Sequence, residues 1–200
     1  ILAMGAKPRQ LPIEGIESLV GRGVSYCATC DGSFFKDETT VIVGGGDTAC
    51  ADAVYLSRIA KEVHLVHRRN ELRASAWYAG QLDALDNVTI HWDSVVAGFE
   101  EAEGKLASVT LENVKDKSQE VVPTDALFIA VGTQPDTAWL SGVVELDPSG
   151  YVVTTGEGQT TTPGIFAAGD TRTTPLRQVV TAVSDGALAA EAAAKYIASW

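Results

Sequence analysis

The 200-residue sequence has few cysteines, few histidines and few basic residues. It contains 15 Lys and Arg against 26 Asp and Glu, which gives a formal net charge of −11. Nucleic acid is therefore an unsuitable partner, because binding the phosphate backbone needs a broad basic face. No apolar run reaches the roughly 18 residues of a membrane-spanning helix, and no charged-then-apolar leader is visible. Three cysteines cannot form a secreted disulfide framework. We expect a cytoplasmic protein without a membrane partner.

What the sequence does contain is one close pair of cysteines. Cys27 and Cys30 are separated by two residues and can close a small disulfide, in which neighbouring N–H groups stabilise a thiolate. Asp31 follows directly and can carry a proton to or from a leaving sulfur. A zinc site would need a second ligand pair, and neither Cys50 nor the three histidines have a matching spacing. We predict no metal site and a redox-active pair, with a zinc site and inert thiols as the alternatives.

A glycine-rich segment follows the cysteine pair. Residues 39–43 are β-branched and predict a strand, and residues 47–60 predict a helix. Glycines between a strand and a helix allow a tight turn and let N–H groups reach a pyrophosphate, whose charge the helix dipole stabilises. The alternative is an ordinary turn. The GxGxxA spacing favours a dinucleotide-binding turn made by Gly44, Gly46, Asp47, Thr48 and Ala49.

Basic residues follow the second predicted strand, residues 62–66. A site for NAD usually has an acidic residue at this point, which binds the ribose 2′-hydroxyl. Here the chain continues instead with His67, Arg68 and Arg69, and Arg73 lies close behind. Guanidinium groups match phosphate oxygens, so the segment predicts NADPH rather than NADH. The alternative is a solvated loop with chance charges.

The order of predicted elements indicates an α/β fold with two Rossmann-like, three-layer domains. Strands and helices alternate up to residue 92, as in half of a doubly wound parallel sheet. Three hairpin-linked strands then predict an antiparallel meander, with charge-rich turns at 100–104 and 115–118 that we expect to be solvated. We place one domain at 10–124. The second combines 1–9 with 125–200 and contains predicted strands at 126–131, 151–154 and 165–168 and a helix at 177–200.

A second candidate site follows the predicted strand 165–168. Gly169 and Asp170 come at its carboxyl end, where parallel sheets bind ligands. Asp170 can accept hydrogen bonds from ligand hydroxyls, and Gly169 allows a ring system to approach. The predicted helix from Arg177 points its N-terminus at the same place. The alternative is that Asp170 caps a turn.

Together these motifs resemble the low-molecular-weight, bacterial-type thioredoxin reductases. The resemblance covers essentially the whole chain. It rests on the following ordered segments: CATCDG at 27–32, GGGDTA at 44–49, HRR at 67–69 with Arg73, AVG at 130–132, PGIFAAGD at 163–170, and Arg177 with Gln178.

The resemblance implies a homodimer that binds FAD and NADPH. In the family, NADPH reduces FAD, which reduces the cysteine disulfide, which reduces thioredoxin. Carried over, Cys30 is the flavin-facing sulfur, Cys27 attacks thioredoxin and Asp31 is the acid–base residue. The residues of the cofactor sites also include Gly132 and Gly169, and those that hold FAD would be Asp170, Arg177, Gln178 and Val179.

The family begins with a glycine-rich FAD segment that this sequence lacks. Residues 1–6 predict the end of a buried strand, so we expect an incomplete FAD domain. One alternative is a flavoprotein disulfide reductase of the alkyl hydroperoxide reductase type, although the Ala and Thr between the cysteines favour thioredoxin reductase. The other is a non-catalytic NADPH-binding fragment.

Overall fold

The computed structural model describes residues 1–200 and divides them into two compact units. Residues Gln10–Gly132 form what we call the disulfide unit, and Ile1–Arg9 with Thr133–Trp200 form the C-terminal unit. The strands are β1 (Ala6–Pro8), β2 (Val24–Ser25), β3 (Thr39–Val43), β4 (Glu62–Val66), β5 (Val88–His91), β6 (Ser94–Ala102), β7 (Lys105–Asn113), β8 (Gln119–Pro123), β9 (Ala126–Ile129) and β10 (Thr133–Pro135). The α-helices are α1 (Ala28–Asp31), α2 (Asp47–Leu56), α3 (Ala76–Leu82) and α4 (Val179–Ala198).

A five-stranded parallel sheet forms the centre of the disulfide unit. Its order is β2-β9-β3-β4-β5, and all of its neighbouring strands run parallel. Strand β3 is built from Thr, Val and Ile, whose branched side chains suit a buried strand. The connections β3–α2–β4 and β4–α3–β5 confirm the predicted alternation of strands and helices, and with it the α/β fold class.

Each face of this sheet is covered by its own core. On one face, Ile42 and Leu65 pack with Val54 and Leu56 of α2 and with Leu82 of α3. On the other face, sheet residues pack against the antiparallel sheet β6-β7-β8. That second core consists of Ile16, Leu19, Val24, Val41, Val43, Val66, Val96, Leu106, Val109, Leu111, Val122, Leu127 and Ile129. The disulfide unit thus has three layers, and β6–β8 is the predicted meander.

The C-terminal unit has less regular structure. It contains the two-stranded antiparallel sheet β1-β10 and the long helix α4. Only Ala189 and Ala192 of α4 are buried, and they pack with Phe166 and Ala168. No helix of the structure is both long and apolar enough to cross a bilayer.

Several element boundaries differ from those expected from the sequence. The boundary expected at 124–125 lies after Gly132, because β9 pairs between β2 and β3 and so belongs to the disulfide unit. The predicted strands at 151–154 and 165–168 are reduced to isolated bridges, which involve Val152, Phe166 and Ala167. They lack the neighbouring strands that would extend their hydrogen bonding. Helix α4 begins at Val179, since Gln178 has extended backbone angles and caps it.

Candidate functional site

The cysteine pair forms a disulfide at the start of helix α1. Cys27 is the N-cap residue of the helix, and its Sγ accepts the backbone N–H of Cys30 at 3.2 Å. Cys30 is exposed and Cys27 is partly buried. Hydrogen bonding to a sulfur stabilises negative charge on it, so the local backbone favours a thiolate at Cys27 after reduction. The predicted helix start at the pair is therefore present.

Ser25 connects this disulfide to Asp31. Its hydroxyl donates to Asp31 Oδ2 at 2.6 Å and accepts the backbone N–H of Cys27 at 3.0 Å. Ser25 is buried at the end of β2, so both contacts are shielded from water. The predicted acid–base residue is thus connected through Ser25 to the backbone N–H of Cys27, by a side chain that the sequence motif did not single out.

The glycine turn after β3 is packed at two of its glycines and open at the third. A Cβ on Gly44 would lie 2.5 Å from Ala130 O and from Ala49 Cβ. A Cβ on Gly45 would lie 2.2 Å from ring atoms of His67. At Gly46 a Cβ would meet no atom within 4 Å. The close approaches at Gly44 and Gly45 shape the turn, and Gly46 faces open space.

The open glycine is also the N-cap of helix α2. Gly46 has no side chain and no other side chain caps this helix end, so its first N–H groups have no side-chain partner. Asp47 and Thr48 are exposed there, while Ala49 is fully buried against the turn. Free N–H groups and the helix dipole suit a pyrophosphate, so this turn fits a dinucleotide.

The arginine loop, residues 68–73, is fastened to the glycine turn. Arg73 N donates to Gly45 O at 2.7 Å, and Ser75 N donates to Asp47 Oδ1 at 2.7 Å. The Asp47 carboxylate therefore holds the segment that follows the loop. The predicted pyrophosphate and 2′-phosphate regions lie side by side in the structure.

Three guanidinium groups of the loop remain without an ion pair. Arg68, Arg69 and Arg73 are exposed, and none of them lies within 4.0 Å of a carboxylate. They line an open cavity of about 520 Å³. Unpaired cations grouped in this way repel one another, and a bound phosphate group would relieve that repulsion.

His67 has a packing position rather than a surface position. It is 4% exposed, and its Nε2 lies 2.9 Å from the carbonyl oxygen of Glu71. Burial lowers the pKa of His67 below its ordinary value, and Arg73 and Arg69 lower it further. The ring is therefore neutral at neutral pH. It supports Gly45 and the arginine loop but adds no charge for a phosphate.

The disulfide and the glycine turn lie towards opposite ends of helix α2. A Cβ on Gly32, next to α1, would lie 2.7 Å from Leu56 at the carboxyl end of α2. The glycine turn lies at the amino end of this ten-residue helix. At 1.5 Å per residue, the two ends of the helix are about 15 Å apart. The structure thus places both groups in one unit without bringing them together.

The C-terminal unit contains the second candidate site. The carboxylate of Asp185 accepts two hydrogen bonds from Arg172, at 2.6 and 2.7 Å, and the N–H of Gly169 at 3.1 Å. This ion pair raises the pKa of Arg172 and lowers that of Asp185, in each case mainly through their hydrogen bonds. It fixes the 3₁₀ turn Gly169–Thr171, which presents Asp170.

The start of helix α4 lies in the same unit. Arg177 stacks over the ring of Tyr151 at 4.1 Å, and its buried Nε has no hydrogen-bond partner. Val179 is 80% exposed. An unpartnered buried donor and an exposed apolar side chain fit a bound ligand with polar and apolar parts, as FAD has.

Residues 1–186 match the family model of the pyridine nucleotide-disulphide oxidoreductases. The chain therefore belongs to this family.

Thioredoxin reductases are prominent among the similar proteins. That of Treponema pallidum (strain Nichols) is 45% identical over 197 residues, which cover 98% of this chain and 64% of the relative. The solved thioredoxin reductase from Streptococcus pyogenes MGAS5005 has a TM-score of 0.90 at 42% identity. The match covers 99% of this chain and 65% of the solved chain. The solved thioredoxin reductase from Giardia duodenalis has a TM-score of 0.91 at 35% identity, and the match covers 98% of this chain and 64% of the solved chain. These matches confirm the predicted resemblance.

The chain spans about 64% of the length of the relative from Treponema pallidum. Membership of the family and the similarity to thioredoxin reductases confirm the predicted use of FAD and NADPH. The glycine turn and the arginine loop are the residues that fit NADPH, and the Asp170 turn and the start of α4 fit part of FAD.

Proposed function

We propose that this chain is the part of a thioredoxin-disulfide reductase that binds NADPH and contains the redox-active disulfide. The observation that carries the proposal is the presence of the Cys27–Cys30 disulfide and an open nucleotide turn at Gly46 within one compact unit. Residues 10–132 would then be the NADPH-binding domain. The C-terminal unit would supply part of the FAD-binding domain through Asp170, Arg177, Gln178 and Val179.

The reaction uses both sulfurs in turn. NADPH held by the glycine turn and the arginine loop, and FAD held in part by the Asp170 turn, would supply the electron pair that reduces the Cys27–Cys30 disulfide. The Cys27 thiolate attacks the disulfide of thioredoxin and forms a mixed disulfide, while one thioredoxin sulfur leaves as a thiol. The Cys30 thiolate then attacks Cys27 Sγ, which releases dithiol thioredoxin and re-forms the disulfide. Two electrons and two protons pass to thioredoxin in each cycle.

Asp31 is positioned to handle the protons. Its carboxyl group can protonate a leaving sulfur and take the proton back, and the hydroxyl of Ser25 holds it in place. The Cys30 N–H stabilises a thiolate at Cys27. These contacts support Cys27 as the attacking sulfur, as does the resemblance to thioredoxin reductases, even though Cys30 is the more exposed of the two.

Thiol–disulfide exchange with thioredoxin tests these roles. Variants of the chain that each keep one cysteine of the pair are mixed with a thioredoxin that lacks its resolving cysteine and has been activated as a thionitrobenzoate mixed disulfide. We expect Cys30→Ser, which keeps Cys27, to form the protein–protein disulfide at least about tenfold faster than Cys27→Ser, because its thiolate is better stabilised. Release of thionitrobenzoate gives the rate.

Cys50 is the internal control. It is fully buried, and burial together with nearby Asp47 raises its pKa to about 11, so it does not compete. The double variant Cys27→Ser/Cys30→Ser should not react. If Cys27→Ser traps thioredoxin as fast as Cys30→Ser does, the assignment of the two roles is mistaken. If neither reacts faster than the double variant, the disulfide is not the thioredoxin site.

The resemblance also supports a cytoplasmic homodimer. Analytical ultracentrifugation of the chain together with any preceding FAD segment tests the dimer, and a monomeric holoenzyme would contradict it.

A further inference from the structure

The turn that joins β7 to β8 brings a fourth cation to the cavity of the arginine loop. Lys115 lies in this turn and lines the same cavity of about 520 Å³ as Arg68, Arg69 and Arg73. From the sequence we expected the turn to be a solvated loop, and the side chain of Lys115 is indeed 64% exposed. Asp93 also lines the cavity. The position of Lys115 is nevertheless fixed by specific contacts.

Asp93 makes three contacts that connect the turn to the arginine loop. Its backbone N–H donates to Arg69 O at 3.1 Å. Its carbonyl oxygen accepts the N–H of Val114 at 2.7 Å. Its Oδ2 accepts from Lys115 Nζ at 2.6 Å. Asp93 has a φ of 52°, a left-handed backbone conformation that Asp and Asn adopt more easily than most residues. Asp93 thus connects Lys115 and the β7–β8 turn to the arginine loop.

The charges around the cavity suit a phosphate dianion. Four cations face two carboxylates, those of Glu71 and Asp93. Lys115 has a flexible stem, so its ammonium group can turn from Asp93 towards a phosphate oxygen without moving the backbone. The turn between β7 and β8 therefore contributes a residue to the cavity, which the arginine motif alone would assign to residues 68–73.

We propose that Lys115 is a further residue that determines the preference for NADPH, by contacting the 2′-phosphate together with the arginine loop. Asp93 positions Lys115 and partly offsets the positive charge of the cavity. The inference rests on the proposed function, since it assumes that the arginine loop binds the 2′-phosphate of NADPH.

The same turn offers a matched control. Lys117 is 69% exposed and forms an ion pair with Glu112 at 3.1 Å, much as Lys115 does with Asp93. Lys117 does not line the cavity. Replacing either lysine by alanine removes one exposed, ion-paired charge from the turn, so a difference between the two variants reports on the cavity.

The test is calorimetric titration of the 200-residue chain with 2′,5′-ADP and with 5′-AMP, which differ by the 2′-phosphate. We expect Lys115→Ala to weaken 2′,5′-ADP binding about three- to tenfold and to leave 5′-AMP within about twofold. Lys117→Ala should change neither affinity, and Lys115→Arg should keep the wild-type ratio of the affinities for 2′,5′-ADP and 5′-AMP. The effect of Lys115→Ala should shrink at high salt, because the lysine is exposed. Asp93→Asn, which preserves the backbone conformation, should tighten 2′,5′-ADP binding.

Arg69→Ala distinguishes failure of the proposed role of Lys115 from failure of the proposed NADPH site. If it weakens 2′,5′-ADP selectively while Lys115→Ala behaves like Lys117→Ala, the NADPH assignment stands and the role of Lys115 is refuted. A Lys115→Ala variant that weakens both ligands equally indicates a purely structural lysine and also refutes it. If the wild-type chain does not prefer 2′,5′-ADP, or Arg69→Ala leaves the preference intact, the proposed NADPH site itself is wrong. Weaker 2′,5′-ADP binding by Asp93→Asn contradicts the charge argument.

Discussion

Adding one methyl group at two neighbouring glycines should separate folding from nucleotide binding. In Gly45→Ala the new Cβ would lie 2.2 Å from the ring of His67, which is buried and anchored to the carbonyl oxygen of Glu71. The ring cannot move aside without leaving this position. In Gly46→Ala the new Cβ meets nothing within 4 Å, and the backbone angles of φ −99° and ψ −178° are ones that alanine adopts.

The expected magnitudes follow from these distances. Overpacking a buried site costs about 1–3 kcal/mol, and Gly45→Ala should destabilise the chain by that amount. For Gly46→Ala, loss of the glycine N-cap costs up to about 1 kcal/mol, while a stiffer unfolded chain offsets about 0.4–1 kcal/mol. Its stability should stay within about 1 kcal/mol of wild type. Its methyl group, however, fills the space that a pyrophosphate needs, and losing one or two charge-assisted hydrogen bonds weakens binding about tenfold to a hundredfold.

Urea unfolding and NADPH titration of the same preparations measure both quantities. The double variant Gly45→Ala/His67→Ala is the control, because removal of the ring makes room for the methyl group. The double variant should lose less unfolding free energy than the two single variants lose in sum, as expected for residues in contact. Normal NADPH binding by Gly46→Ala would refute the account of the turn, as would equal destabilisation by Gly45→Ala and Gly46→Ala.

The remaining predictions concern a partly buried carboxyl group, the flavin and the arginine loop. Burial raises the pKa of Asp52 from 3.8 to about 6, so its contribution to stability is full below pH 3.8 and is lost as the pH rises through 6. Asp52→Asn should therefore stabilise the chain by roughly 1–2 kcal/mol at pH 8, with a smaller gain at pH 5 in urea unfolding; an equal gain at both pH values contradicts this. We expect the 200-residue chain to purify with less than one equivalent of flavin by absorbance, because in the proposed function the Asp170 turn and the start of α4 would supply only part of the FAD site; a fully yellow chain would contradict this. Asp47→Ala should reduce the preference for NADPH over NADH, because it releases the Ser75 N–H that holds the end of the arginine loop, whereas Asp47→Asn keeps an acceptor and the preference; equal behaviour of the two variants would count against this brace.

The local signals in the sequence predicted the disulfide unit well. Strand β3, the glycine turn and helix α2 follow one another without a gap, so hydrophobic pattern and turn chemistry were sufficient to find them. The same holds for Cys27 and Cys30, whose spacing directly permits the observed disulfide. Features formed by contiguous residues can be recognised because their geometry is set by their neighbours in the chain.

Features that depend on contacts between distant segments could not be predicted in this way. Gly45 is constrained by His67, which comes from the end of the next strand. Lys115 reaches the arginine loop only because the meander packs on the sheet and Asp93 joins the two. Ser25 has no motif of its own, and its importance depends on the side chain of Asp31. Each of these residues looks ordinary in the sequence.

The location of the cores decides which functions the chain can be tested for by itself. The disulfide unit has a hydrophobic core on each face of its sheet and contains the glycine turn, the arginine loop and the Cys27–Cys30 disulfide. The proposed nucleotide binding and thiol–disulfide exchange therefore depend on residues whose positions this unit fixes. The C-terminal unit is different, because α4 buries only Ala189 and Ala192 and exposes Val180, Val183 and Ile197. Variants in the disulfide unit should consequently give interpretable binding and exchange data in the 200-residue chain, whereas substitutions at Asp170 or Arg177 need the flavin-loaded protein to show their effect.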